Sequence, residues 1–327
     1  MRISILGTGS FASAITQVIT DNNHEVLLWT NDLKQIDEIN SRHTNSIYYD
    51  NFRFSNLVSA TDDLEKITEF SNIIFILLPS KIISDVTKRV NKILRKLDKK
   101  IYIVNMSKGM DYKNIITISE IIENNIDSKY IKNIYSMTGP TFANEIIDRK
   151  LSKFILATKK NDTEIIRTIL ENEYILIENS DDIVGIEVLS SIKNIVALAA
   201  GILDGLGYKE NTHAILITEG IREFQKIAPF FNIELDTILS VSGIGDLVLT
   251  ASSKTSRNYI TGKKIGSGEK IDDAIKTTKT VVEGVECAKV MHRFSKEHKI
   301  NLPITKAVYN IFYDDKNPKE EILKIFK

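Results

Sequence analysis

Arg2-Ile3-Ser4-Ile5-Leu6-Gly7-Thr8-Gly9-Ser10-Phe11-Ala12 opens the chain. A short apolar run breaks at two glycines and passes into helical spacing over Phe11–Asp21. A glycine pair placed between a strand and a helix has a physical use that an isolated pair lacks. Gly7 permits the tight turn, and Gly9 lets a pyrophosphate approach the backbone. The helix start offers unpaired N–H groups and the positive end of its dipole. Ala12, small in the third position, allows close packing of helix on strand. The stretch therefore predicts a dinucleotide-binding βα unit, the alternative being a plain glycine turn.

Outward from it, strands and helices alternate. Strands are expected at Glu25–Trp29, Ile73–Leu78, Ile101–Asn105, Ile134–Met137, Phe154–Ala157 and Tyr174–Ile177. Helices are expected at Asp32–Asn40 and at Ile82–Leu97, where apolar residues at 82, 83, 86, 90 and 94 keep one face. That alternation predicts an α/β fold with a mostly parallel, doubly wound Rossmann-like sheet. Near residue 184 the pattern changes to long helical stretches: Ile186–Leu203, Thr212–Lys226, Glu234–Leu239, Val282–Lys296 and Thr305–Tyr313. Glycines at 205–207, 243–245 and 262–268 read as breaks between them. The expectation is a nucleotide-binding domain over 1–184 and an all-helical C-terminal domain over 185–327.

Composition narrows the function. The 43 Lys and Arg balance 43 Asp and Glu, which argues against a nucleic-acid backbone or an anionic membrane as the main partner. A single cysteine, Cys287, excludes an internal disulfide framework, and with five histidines it leaves little for a metal site. The segment Ile183–Leu206 is long enough to cross a bilayer, but it carries Glu187, Lys193, Asn194 and Asp204, so a buried central helix is the better reading. With strand-like residues from Arg2 onward, a cytoplasmic protein without a membrane span is expected.

Candidate chemistry gathers at a few places. Lys193-Asn194 lies in the most apolar helix, flanked by Leu189, Ile192, Ile195 and Val196. A lysine buried there should lose its proton more readily than usual, which suits proton transfer; the alternatives are a structural ion pair or a snorkelling side chain. Ser107-Lys108-Gly109 and Thr138-Gly139-Pro140-Thr141 follow strands, where open α/β sheets bind ligands. Thr141 either caps the next helix or presents its hydroxyl to a ligand. Asp246 follows a glycine pair, and Ser256-Arg257-Asn258 offers an anion cradle or a solvated loop. At the end of the second strand Asn31 is neutral and Asp32 reads as a helix N-cap, so the cofactor is NAD or NADP, with NADP favoured.

Taken in order, Gly7-Thr8-Gly9-Ser10-Phe11-Ala12, Ser107-Lys108-Gly109, 138–145 (TGPTFANE), Ile192-Lys193-Asn194, 242–250 (SGIGDLVLT), Ser256-Arg257-Asn258 and 281–284 (VVEG) resemble NAD(P)-dependent glycerol-3-phosphate dehydrogenase of the bacterial soluble type. The resemblance runs to Leu302-Pro303-Ile304-Thr305 and covers nearly the whole chain. It implies interconversion of dihydroxyacetone phosphate and sn-glycerol 3-phosphate for glycerophospholipid synthesis, without a metal, by a homodimer. It implies that Lys193 is the catalytic proton donor and acceptor. Lys108, Gly139, Thr141, Asn194, Asp246, Ser256, Arg257 and Asn258 would contact substrate. Gly7, Gly9, Ser10, Phe11, Asn31, Lys108, Ala143, Arg257, Val281 and Glu283 would line the cofactor.

Met106, Met137 and Glu219 depart from the family pattern, Glu219 standing where an arginine is usual. A hydroxyacid or sugar-acid dehydrogenase would share the architecture and the Lys-Asn pair, but would be expected to lack the Ser-Arg-Asn element. A cofactor-binding sensor would have no need of Lys108 and Lys193.

Overall fold

The computed structural model describes residues 1–112, 114–160, 162–277 and 282–327. The chain divides into two compact units, Met1–Asp111 with Ile116–Ile183, and Tyr112–Ile115 with Val184–Lys327. Among the described residues the first unit holds β1 (Arg2–Leu6), α1 (Ser10–Asp21), β2 (Glu25–Trp29), α2 (Leu33–Arg42), β3 (Val58–Thr61), α3 (Leu64–Phe70), β4 (Ile73–Ile76) and α4 (Ser80–Leu97). It continues with β5 (Ile101–Asn105), α5 (Ile118–Asn125), β6 (Ile131–Thr138), α6 (Ala143–Ile147), β7 (Ser152–Ala157), α7 (Glu164–Leu170) and β8 (Ile175–Ser180).

These strands form one sheet in the order β3-β2-β1-β4-β5-β6-β7-β8. Alternate residues of β1, β2, β4, β5 and β6 feed two cores. Ile3, Ile5, Val26 and Leu28 pack with α1 and α7, whereas Leu6, Leu27, Trp29 and Ile74 pack with α3, α4 and α5. On these strands both faces are covered, which is why they read as continuous apolar runs, whereas β8 alternates buried and exposed residues. The order reverses between β1 and β4, so the glycine turn after β1 lies at the switch point where such sheets bind ligands.

Two features of the sheet differ from the sequence expectation. β3, Val-Ser-Ala-Thr, is an additional strand at the edge, too short and polar to show a pattern. The Asn40 side chain finishes that edge: its Oδ1 accepts from Ala60 N at 2.8 Å and its Nδ2 donates to Ala60 O at 3.0 Å. β6 and β7 pair antiparallel, Met137 opposite Leu156, because their link contains only the short α6.

The second unit contains α8 (Ile183–Gly205), α9 (Glu210–Phe231), α10 (Leu235–Leu239), α11 (Asp246–Ser252), α12 (Arg257–Gly266), α13 (Ile271–Thr277), α14 (Glu283–Glu297), α15 (Pro303–Tyr313) and α16 (Pro318–Leu323). α8, which is long and apolar enough to span a membrane, lies with 94% of its most apolar window buried inside the protein. The glycines at 205 and 262–266 correct the reading as breaks. Gly201 and Gly205 of α8 interleave with Gly262 and Gly266 of α12, and a Cβ on any of the four would run into a backbone carbonyl oxygen of the other helix. They allow the two helices to touch through their backbones. Gly207 and Gly268, at positive φ, are true chain reversals. Glu219 finds a partner on its own helix, Arg222, at 2.5 Å one turn on.

Glu223 of α9 is buried and caps α15. It accepts from Ile304 N at 2.6 Å and Thr305 N at 3.3 Å through one oxygen, and from Thr305 Oγ1 at 2.7 Å through the other. Burial pushes its carboxyl up to about 7, against the lowering effect of those donors. The folded state therefore holds this proton where the unfolded chain has released it. The stability it contributes is present below the unfolded value and is lost as pH rises from about 4.5 to about 7. Glu223→Gln keeps an acceptor for the two N–H groups and removes the titration. Its stability relative to the parent should rise across that window by up to about 3 kcal/mol, read from denaturation midpoints at pH 5 and pH 7.5. A gap independent of pH would refute the assignment.

Candidate active site

In the glycine turn, φ at Gly7 is +124° and its N–H donates to Trp29 O at 3.0 Å. A Cβ there would strike Leu77 O, so the fold itself demands glycine. Gly9 is different. It is the N-cap of α1, no side chain caps the helix, and a Cβ on it would meet nothing within 4 Å. The start of α1, at Ser10 and Phe11, thus has no side-chain cap and the space beside Gly9 is open, which fits a phosphate. Lys108 belongs to the same neighbourhood, its Nζ 6.0 Å from the centroid of the Phe11 ring. Ser107 is structural, since its hydroxyl donates to Ile76 O at 3.1 Å and accepts from Leu78 N at 3.0 Å, fixing the end of β5 to that of β4.

Asn31 is exposed just beyond β2. Asp32 caps α2, accepting from Lys34 N at 2.9 Å and Gln35 N at 3.3 Å. Glu283 is the half-buried first residue of α14, and Val281 lies outside the described residues.

After β6, Gly139 is required by its neighbour strand, because a Cβ would strike Lys153 O. Thr141 does not cap α6: the N-cap is Phe142, without a side-chain bond. Its hydroxyl is buried and has no hydrogen-bond partner among the described residues. A buried hydroxyl left so costs on the order of 1–3 kcal/mol, which points to a ligand or water as its partner. Ala143 begins α6 and packs on the core.

In the second unit Lys193 is 1% exposed and its Nζ donates to Asp246 Oδ2; Asp246 is equally buried. The lysine is thus half of an interior ion pair, and the carboxylate opposes the desolvation that burial imposes. A wide helical turn, Val241–Gly245, delivers Asp246 to that place. Thr250 Oγ1 donates to Asp246 O at 2.6 Å.

Beside the pair runs an amide chain. Asn258 Nδ2 donates to Asn194 Oδ1 at 2.9 Å, and Gly284 N donates to Asn258 Oδ1 at 3.0 Å. α8, α12 and α14 are joined at this point. Ser256 is the N-cap of α12, accepting from Tyr259 N at 3.5 Å. Arg257 follows it, exposed and without a carboxylate partner among the described residues.

The structure also brings in residues that sequence spacing did not single out. Thr8, Gln35 and Asn45 form buried hydrogen bonds beneath the glycine turn, and Tyr49 Oη donates to Ser10 O at 2.9 Å. No periodicity or motif marks them, because they act through tertiary contacts. Among the described residues no group of three or more His, Cys, Asp or Glu is placed to hold a metal ion.

Comparison with known proteins decides the family. Residues 2–164 match the N-terminal model, and residues 182–323 the C-terminal model, of NAD-dependent glycerol-3-phosphate dehydrogenase. The chain belongs to the NAD-dependent glycerol-3-phosphate dehydrogenase family. It is 36% identical to the glycerol-3-phosphate dehydrogenase [NAD(P)+] of an Exiguobacterium species over 327 residues, all of this chain and 95% of that one. It is 32% identical to the enzyme of the same name from Ligilactobacillus salivarius, over 98% of this chain and 95% of that one. The crystal structure of glycerol-3-phosphate dehydrogenase from Coxiella burnetii superposes with a TM-score of 0.91 at 28% identity, covering 100% of this chain and 98% of that one. As a member of this family the chain is an NAD(P)-dependent oxidoreductase with a Rossmann-like sheet and a helical C-terminal part.

Proposed function

We propose that the chain interconverts dihydroxyacetone phosphate and sn-glycerol 3-phosphate with NAD(P)H or NAD(P)+, and that Lys193 carries the proton. The interior Lys193–Asp246 pair is the observation behind this reading. Bound cofactor supplies or accepts the hydride at the substrate's C2 carbon. In the reducing direction negative charge develops on the C2 oxygen, and the Lys193 ammonium neutralises it and gives up one proton. Asp246 accepts from the buried nitrogen and aims it, so the proton is in place when the alkoxide forms. Lys193 is reprotonated from solvent to complete the cycle.

Residues 1–184 are assigned to the cofactor and 185–327 to catalysis and substrate. Gly7, Gly9, Ser10 and Phe11 cradle phosphate, and Ala143, Val281 and Glu283 line the nicotinamide cofactor. Lys108 serves cofactor and substrate alike. Thr141, whose hydroxyl lacks a partner among the described residues, takes a substrate oxygen. Asn194, Asp246 and Asn258 order the substrate and the lysine, and Gly139 and Ser256 are assigned to contact with the substrate. The neutral Asn31 favours NADP. A cytoplasmic homodimer serving glycerophospholipid synthesis completes the proposal.

The test is cofactor absorbance with purified protein, dihydroxyacetone phosphate and either NADPH or NADH. Oxidation dependent on the ketone is expected, faster with NADPH. Folded protein that binds cofactor yet oxidises neither would overturn the substrate assignment.

Arg257, exposed and without a carboxylate partner among the described residues, is assigned to the substrate phosphate and to the cofactor. Arg257→Ala should raise KM for dihydroxyacetone phosphate roughly 10–100-fold with a smaller change in kcat, and Arg257→Lys should recover only part, since an ammonium lacks the bidentate fork. An unchanged KM in the alanine variant would remove Arg257 from the site.

A further inference from the structure

Beneath the glycine turn lies a closed ring of polar side chains that neither helix nor strand formation requires. Thr8 Oγ1 donates to Gln35 Oε1 at 2.8 Å, and Gln35 Nε2 donates to Asn45 Oδ1 at 3.1 Å. Asn45 Nδ2 closes the ring, donating to Thr8 O at 2.9 Å and to Ser13 Oγ at 3.0 Å. All four residues are buried, Asn45 and Ser13 completely. Thr8 stands between the two glycines, Ser13 in the first turn of α1, Gln35 on α2, and Asn45 on the segment after α2. The same segment holds the start of α1 again through the bond from Tyr49 Oη to Ser10 O.

We propose that Asn45 is a positioning residue for cofactor binding: by holding the Thr8 carbonyl and Ser13 from below, it sets the direction of the N–H groups that the turn and α1 present. The proposal rests on reading Gly7–Gly9 as the phosphate cradle. Gly7 pins one side of the turn through its bond to Trp29 O, and on the other side the Gly9 carbonyl accepts from Ser13 N at 2.9 Å, while a Cβ on Gly9 would meet nothing within 4 Å. Between these two anchors lies the Thr8 carbonyl, and the Asn45 side chain holds that oxygen at 2.9 Å. In a buried setting a fully satisfied network of this kind is stiff, and one broken member is felt by all. Asn45 spends both amide hydrogens and its oxygen in the ring, so its side chain acts on the cofactor only through the turn.

Asn45→Asp keeps the shape and the acceptor for Gln35, but turns an oxygen towards the Thr8 carbonyl. Full-length protein would be titrated with NADPH and NADH, following nicotinamide fluorescence, from pH 5.5 to pH 8. The expected result is a Kd raised about tenfold at pH 8, the scale of one buried hydrogen bond, with kcat at saturating cofactor within about threefold of the parent. The ratio of variant to parent Kd should shrink on acidification, as the carboxyl gains a proton and can donate to Thr8 again. A purely structural role would make that ratio follow the variant's own Tm over the same pH range, so Tm is read at each pH beside Kd.

Asn133→Ser serves as the stability control, removing a buried amide whose oxygen accepts from Thr158 Oγ1 at 3.0 Å. It should lower Tm and leave Kd alone. Parent-like Kd in Asn45→Asp at every pH, or a Kd that follows Tm equally in both variants, would overturn the proposal while leaving the cradle intact. Failure of the parent itself to bind either cofactor would overturn the cradle reading and this inference together.

Discussion

Lys193→Met should lower kcat for dihydroxyacetone phosphate reduction by about 10²–10⁴-fold, the usual contribution of a positioned proton donor. Methionine approximates the length and volume of the lysine stem, so the packing of α8 around position 193 is retained. What disappears is one charge and one proton. Cofactor affinity should be nearly unchanged, because Gly7–Phe11 are untouched, and this separates loss of chemistry from loss of fold. Lys193→Arg should also be slow: a guanidinium retains charge but is effectively never deprotonated, so it stabilises the alkoxide without giving it a proton. Arginine slower than the parent and faster than methionine would divide the effect between charge and proton transfer. Parent-like turnover in Lys193→Met, measured with saturating NADPH, would remove the lysine from the chemistry. The expected contrast with Arg257→Ala, where KM moves more than kcat, distinguishes a group acting at the reacting oxygen from one that holds the remote phosphate.

How much of this was legible in the sequence depends on whether a residue acts through its neighbours in the chain or through distant ones. β1, the glycine turn and α1 are visible because strand period, turn glycine and helix period follow one another within a few residues. β3 is not, because its four residues owe their place to pairing with β2 and to the Asn40 side chain. Glycine signals were half right. Gly7 and Gly207 sit at positive φ, whereas Gly262 and Gly266 answer a requirement set by another helix. Lys193 could be suspected from its apolar surroundings, but its partner is 53 positions away, and spacing alone does not choose Asp246 from among the acids. Thr141 was open between a cap and a ligand group; the structure removes the cap by giving that place to Phe142. Asn45 and Gln35 carried no signal, since a polar residue after a helix is ordinarily solvated.

The second large effect follows from the same ion pair and concerns stability. Asp246→Ala removes the carboxylate to which the buried Lys193 ammonium donates, and loss of one partner of a buried pair costs about 3–5 kcal/mol. For a unit of this size the expected fall in Tm is roughly 10 °C. Replacing both partners, Lys193→Met with Asp246→Leu, removes the two charges and the desolvation they require, and apolar replacement of a buried pair is often neutral or stabilising. The double variant should therefore regain most of the lost Tm while remaining as slow as Lys193→Met alone. Thermal and denaturant unfolding of parent, both single variants and the double variant close the cycle. Recovery of stability without activity would mean that the pair is kept for the proton it holds, at a net cost to the fold. If the two single losses simply added, the pair would be no more than two independent packing residues, and the catalytic reading of Lys193 would lose its structural support.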